Sequence, residues 1–400
     1  MSLACIVLGL VVAAAAAVPQ DQAAPAPDPY LVADSQRPYF DLMHVADAWA
    51  VTRGSPDCIV GVIDTGFDFF HPALKNNLSP GWFAPDVYHT TCAGMIAHGT
   101  LVASIIGGRN TEDGGMVGLA PDCPLLAASI GMPEHKLLLL QRQVMEANPN
   151  ASADDLRAAM AEHQDELRDF GRNWIGYVTR TTAGAIDYLV ERKARVINIS
   201  AFLPRATLER YPEAAAQLYE AFDRAIEADV VIVIGAGNNA EETLSYPGAA
   251  ETVLVAGATL LSDERWAETV HAMGMDVKQG SNYGPRLSVM APTQNLLRAM
   301  PHDKALYEVQ GTPMGPEVQT YTASYEVAPN GATSSAAPIV ASLAALIRSA
   351  RPDLPARDVI RIVKQGAVDI GDPGEDPMTG SGRVDFAASL RLALADEGGG

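Results

Sequence analysis

Four side chains in this sequence have the types and positions that acyl-transfer chemistry needs. Ser334 lies in NGATSSAAPIVASLAALI, Asn330 to Ile347, where a polar turn runs into an apolar helix of small residues. A serine there exposes its hydroxyl at a helix N-terminus, beside backbone N–H groups that can bind a developing negative charge. Pro338 is expected in the first turn, where its missing N–H is no loss. Upstream, Asp64 closes the β-branched run CIVGVIDTG, His98 opens HGTLVASIIGG, and Asn238 closes VVIVIGAGN. A serine hydroxyl is a poor nucleophile until an imidazole takes its proton, and the imidazole needs a carboxylate on its other nitrogen to fix its tautomer. The tetrahedral oxyanion then needs fixed donors, which the Asn238 amide and the Ser334 N–H can supply.

Each stretch also has an ordinary structural reading. Ser334 and Ser335 can cap a core helix, VIDTG can be an Asx turn, HGT a capped helix start and GAGN a Gly/Asn turn. It is their joint occurrence, in the chain order Asp64, His98, Ser334, that argues for nucleophilic catalysis. VIDTG alone also fits one loop of an aspartic protease, but that class needs two such loops in a largely β chain. No G-x-S-x-G elbow, H-E-x-x-H zinc motif or P-loop is present.

The elements that must hold these groups follow from periodicity. The continuous apolar run before Asp64 reads as a strand buried on both faces of a parallel sheet, with Asp64 at its carboxyl edge, where ligands of such sheets gather. Phe40 to Val51 reads as a short helix with Leu42, Val45, Ala46 and Trp49 on one face. His98 to Gly108 reads as a helix, and GLAPDCPLLAAS as a loop into a further strand. Residues 132–172 break the rhythm as a charged helical insertion, with Ser152 as N-cap, Asp154 and Asp155 in the first turn, and Leu156, Met160, His163, Leu167 and Phe170 along one face. His163 on that stripe reads as packed or half-exposed rather than as a ligand.

From Thr182 the alternation resumes: a helix through Ile186 and Leu189, a strand VINIS to Ser200, a helix to Ala228, a strand to Asn238 and another from Thr252. This predicts an α/β fold with a doubly wound, mostly parallel sheet flanked by helices. Residues 262–329 are less regular, with a strand at LSVMAP. Closing helices are expected at Ala356–Gln365 and Asp385–Leu394, then a loose tail over 394–400.

Of 400 residues, 48% are hydrophobic and 19% charged, enough for a sizeable core. A net charge of −20 excludes nucleic-acid partners, which need basic patches, and leaves no membrane-surface patch. Ile6 to Val18 is an apolar run too short to span a bilayer, followed by QDQAAPAPDP; it reads as the core of a signal peptide over residues 1–19, although MSLAC lacks the usual Lys or Arg. A secreted or periplasmic protein without a stable membrane span is expected. Signal removal would leave Cys58, Cys92 and Cys123, an odd number. Cys92 with Cys123 is a candidate bridge, and buried free cysteines are the alternative.

VIDTGFDFFHPAL, HGTLVASIIGG, GLAP, VINIS, GAGN, YPGA, SNYG and ATSSAAPIVASLAALI together resemble the subtilisin-like serine proteases, or subtilases. The resemblance spans a catalytic domain over residues 38–393, leaving the insertion and the loop before Ser334 unmatched. It implies a serine endopeptidase acting on peptides and proteins: Ser334 the nucleophile, selected over Ser335 by counting back from Pro338, His98 the general base, Asp64 its orienting carboxylate and Asn238 the oxyanion donor. Substrate would lie as an extended strand against Ser200, Ala201, Phe202 and Gly237.

Departures from the family pattern stand beside this. Ala332 and Phe202 replace glycines, so a reshaped P1 pocket is expected, and Thr293 replaces a glycine after Ala291–Pro292. Ala73 stands where many relatives carry an acidic calcium ligand, so that calcium site is expected to fail, with calcium elsewhere left open. Residues 20–37 form a short Pro/Ala-rich segment where many secreted relatives carry a folding prodomain, and the mature chain is expected to begin between Gln20 and Pro38. The reading from another class is a catalytically silent subtilase domain that binds peptides or partners.

Overall fold

The strand ending in Asp64 lies inside the sheet, where strand order reverses. The computed structural model describes residues 28–85, 97–111, 115–131, 144, 147–148, 152–200, 208–244, 252–272, 275–301 and 323–396. Seven strands pair in parallel: β1 (Val60–Asp64), β2 (Leu78–Phe83), β3 (Leu125–Ser129), β4 (Val196–Ile199), β5 (Val231–Gly235), β6 (Val253–Thr259) and β9 (Val289–Pro292). Their order across the sheet is β2-β3-β1-β4-β5-β6-β9. The chain leaves β1 toward β3 on one side and builds β4 onward on the other. Asp64 therefore ends a strand at the switch point, where the loops of the two halves diverge and open a crevice.

Every residue of β1, β4 and β5 is buried, as their unbroken Val/Ile runs require. One face of the sheet packs against the helices Thr333–Ala350 and His98–Gly107 and the closing helices. The other packs against the helices Trp174–Glu191 and Pro212–Glu227. Ile63, Ile197 and Ile232 point into this second core and are 0% exposed, each contributing about 1.5–3 kcal/mol of apolar burial.

Several expectations are corrected. The expected helix over Phe40–Val51 is two, Arg37–Leu42 and Val45–Trp49, broken at His44, whose φ of 54° is left-handed. The core residues there are Tyr39, Phe40, Met43, Val45 and Ala48, whereas Ala46 is exposed. The helix expected from Thr182 already begins at Trp174, directly after the insertion. Within the insertion, Ser152 and Asp155 form the capping box: the Ser152 N–H donates to Asp155 Oδ2 (2.8 Å) and the Asp155 N–H to Ser152 Oγ (3.2 Å). The stripe is then split into Ala153–Glu162 and Gln164–Arg172 at His163, which is half-buried and pairs with Glu166 at 3.0 Å. The irregular stretch contains an antiparallel hairpin, β7 (Ala267–Ala272) with β8 (Met275–Gly280), and the pair β10 (Leu296–Met300) with β11 (Ser324–Ala328).

Among the described residues one helix, Thr333–Ala350, is long and apolar enough to cross a membrane, and 83% of it is buried inside the fold. It is the core helix that carries Ser334. The signal-peptide run and Cys92 lie outside the described residues.

Candidate active site

Asp64 is held before it meets its partner. Its carbonyl accepts the Ile130 N–H (2.8 Å), continuing the β3 ladder, and its Oδ1 accepts the Thr65 N–H (2.7 Å). Thr65 is fixed in turn by its carbonyl, which accepts the Ser129 hydroxyl at 2.9 Å. The carboxylate is 1% exposed. Into this cradle comes His98, the first residue of its helix, with Nδ1 2.9 Å from Asp64 Oδ1 and 3.0 Å from Oδ2. A carboxylate can only accept, so Nδ1 carries the hydrogen and Nε2 is left as the basic nitrogen. Gly99 permits the approach: a Cβ there would stand 2.5 Å from the Phe67 ring and 2.7 Å from the Gly66 carbonyl. Burial opposes the imidazolium, but the charge and hydrogen bond of Asp64 together outweigh it, and His98 sits above its ordinary value; the nearby Arg298 pulls the other way.

Ser334 is the second residue of its helix and half-buried, whereas Ser335 is 3% exposed and turned into the core. The Thr333 N–H is taken by Asn238 Oδ1 (2.9 Å) and the Ser335 N–H by the Ala332 carbonyl (2.8 Å). Between them the Ser334 N–H has no partner among the described residues, as expected of a first-turn donor. Thr333 also donates its hydroxyl to Asn238 Oδ1 (2.8 Å) and accepts the Gly237 N–H (3.0 Å). With Oδ1 so engaged, Asn238 turns its Nδ2 donors away from Thr333.

Pro338 is not in the first turn. It is the sixth residue of the helix, where its absent N–H would have bonded the Ser334 carbonyl. Ser200 replaces that donor, its hydroxyl 3.0 Å from the Ser334 carbonyl, and it is itself held by Asn198 Nδ2 at 3.0 Å. The His98 helix packs directly against the Ser334 helix, which brings the Asp64–His98 pair and the Ser334–Asn238–Gly237–Ser200 group to one edge of the sheet. Ala201 and Phe202 lie outside the described residues.

The family departures that can be placed are accommodated. Ala332 has φ −71° and ψ 170°, extended backbone open to any residue, and packs against the main core. Thr293 is buried and donates to the Gly331 carbonyl at 2.6 Å, tying the loop that leads into Ser334. Ala73 is 2% exposed in an apolar cluster with Met116, Leu297 and Ala299. A methyl group in such surroundings supplies no hard oxygen ligand, so the position does not fit a calcium ion.

Three contributing residues were not singled out from sequence. Thr333 clamps Asn238 and Gly237, and its signal was its place inside ATSS. Thr65 holds Asp64, and its signal was adjacency. Arg298 had none: it reaches the neighbourhood of His98 only because β10 lies on the His98 helix, where the Ala299 N–H donates to Ser104 Oγ (3.0 Å).

A doubly wound parallel sheet with an Asp–His pair at its switch point, and a serine near the N-terminus of a helix packed against the histidine's helix, is the arrangement of an α/β serine hydrolase. Residues 55–382 match the Subtilase family, and the chain belongs to it; it is a subtilisin-like serine protease. It is 28% identical to mycosin-1 of Mycobacterium tuberculosis over 86% of this chain and 71% of that protein. It is also 28% identical to mycosin-3 of the same organism, over 94% and 75%. Among solved structures it resembles the MycP3 protease from the type VII (ESX-3) secretion system, with a TM-score of 0.59 at 25% identity over 92% of this chain and 90% of that one.

Proposed function

We propose that the protein is an endopeptidase that cleaves extended peptide segments through an acyl-enzyme, with Ser334 as nucleophile, His98 as general base and acid, and Asp64 as the orienting carboxylate. The observation that carries this reading is the two-oxygen contact of Asp64 with His98 Nδ1, 2.9 and 3.0 Å, beside the helix that begins at Thr333. His98 Nε2 takes the Ser334 proton as Oγ attacks the scissile carbonyl. The oxyanion is received by the Ser334 N–H and Asn238 Nδ2, fixed donors that need no reorganisation. Collapse passes the proton to the leaving amine, and water, deprotonated by the same imidazole, releases the acyl group.

Substrate enters as a strand beside the chain leaving β4 at Ser200, with Gly237 on the opposite wall. The protein works outside the cytoplasm, in keeping with its N-terminal apolar run and its likeness to a protease from a secretion system.

The test is hydrolysis of an internally quenched peptide library by the wild type and by Ser334→Ala. Turnover in the wild type, with internal cleavage sites and at least a thousandfold loss in the variant, supports the reading. A folded wild-type protein with no turnover on peptides or denatured proteins would refute it.

A further inference from the structure

At the end of the sheet remote from Asp64, two thiols lie side by side. Cys58 precedes β1 by two residues and Cys123 precedes β3 by two. The strands pair in parallel with Val60 opposite Leu125, so the same offset sets Cys58 opposite Cys123. Neighbouring chains at that spacing, about 4.8 Å, fall within the Cα separation that a disulfide spans. The sulfurs also converge on one turn of the Ser334 helix: Cys58 Sγ reaches the Ala345 carbonyl at 3.5 Å and Cys123 Sγ lies 3.6 Å from Ser349 Oγ, which donates to that same carbonyl at 2.7 Å. Gly54, with φ +125°, closes over them; a Cβ there would stand 2.7 Å from Cys123 Sγ. Both residues are buried and both are free thiols in this structure.

We propose that Cys58 and Cys123 form a dithiol–disulfide couple that closes to a structural disulfide when the chain folds in the presence of a disulfide donor. The thiolate of one of the two cysteines attacks one sulfur of the donor, whether a small-molecule or a protein disulfide, and the donor's other sulfur leaves as a thiolate. The thiolate of the second cysteine then attacks the first cysteine's Sγ in the mixed disulfide and expels the donor's second thiolate. The protein loses two protons and two electrons, and the donor is reduced to two thiols.

Because both sulfurs are covered in the folded chain, exchange belongs to the stage before the Ser334 helix seats, and the finished bond is shielded from reductant. The loop it closes contains Asp64 and His98, and its sulfurs press on the helix that bears Ser334. Oxidation therefore restricts the unfolded chain without moving the site.

The test refolds the full-length chain from reductant and denaturant into a glutathione redox buffer, traps thiols by alkylation and maps the peptides, with Cys92→Ser in parallel. A Cys58–Cys123 cross-linked peptide is expected in both proteins. The oxidised form should melt on the order of 5 °C above the reduced form. That difference should vanish in the Cys58→Ala/Cys123→Ala double variant, with room-temperature peptidase activity unchanged. Alkylation of both Cys58 and Cys123 after oxidative refolding, or a Cys92–Cys123 linkage in the wild type, would overturn the proposal, and neither readout depends on the variant folding.

Discussion

Ser200 donates its hydroxyl to the Ser334 carbonyl at 3.0 Å, the acceptor that Pro338 leaves without its helical partner. The proline opens the second turn of the Ser334 helix, and the residue at the end of β4 closes the gap. The wall proposed to line substrate and the helix proposed to carry the nucleophile are thereby fixed to one another. Ser200→Ala should leave that carbonyl short of a donor, lowering stability by about 1–2 kcal/mol and kcat/KM by roughly tenfold. Denaturant unfolding and peptide kinetics on the one variant check both. An unchanged kcat/KM would mean that the link is not used.

Asp64→Asn keeps the shape of the cradle but lets the amide donate, which selects the wrong imidazole tautomer. The expected loss in kcat is about four orders of magnitude with little change in KM. Steady-state kinetics read it directly.

The pH dependence has a definite sign. His98 lies above its ordinary 6.5: burial works against the charged ring, but the Asp64 charge and hydrogen bond overcome it. Catalysis needs the neutral ring, so kcat/KM should fall with decreasing pH through an acid limb centred above 6.5. Arg298→Gln removes a nearby positive charge and should move that limb upward, whereas Asp64→Asn should move it down. The His98 contribution to folding runs the other way: it is complete below the unfolded value and is lost as pH rises through the folded one. Profiles of kcat/KM against pH for the three proteins check the order of the limbs.

The amide of Asn238 is set by Thr333, which holds its Oδ1 by both backbone and side chain. Asn238→Ala should cost on the order of a hundred- to a thousandfold in kcat, as loss of one oxyanion donor does elsewhere. Thr333→Val leaves Asn238 present but less firmly aimed. It should lower kcat more than it raises KM, with a stability loss of about 1–3 kcal/mol from the unpaired Gly237 N–H.

What was legible in the sequence was local. Asp64, His98 and Asn238 each sit at or just beyond the end of a regular element whose own periodicity marks its boundary, and the alternation of such elements defines a parallel sheet. What was not legible depends on partners distant in the chain. Strand β2, LSPGWF, contains a proline and a glycine that weaken any strand signal, and it forms because it lies at the sheet edge. β10 and β11 pair across a long Gly/Pro-containing segment rather than a short hairpin turn, so neither the pair nor the placement of Arg298 could be read from spacing. Helix preference alone puts Pro338 in a first turn, and the Ser200 hydroxyl that makes a later position tolerable comes from the chain just after β4. Likewise the placement of Cys123 beside Cys58 comes from the sheet register and has no signal in their spacing along the chain.

The central claim is that Ser334 is a nucleophile activated by its surroundings, and a serine-directed fluorophosphonate tests it most directly. The wild type and Ser334→Ala would be treated in parallel and read by intact mass and peptide mapping. The account predicts one label per chain, on the peptide that contains Ser334, and none in the variant. A folded wild-type protein that takes no label, or takes it at another serine, would contradict it.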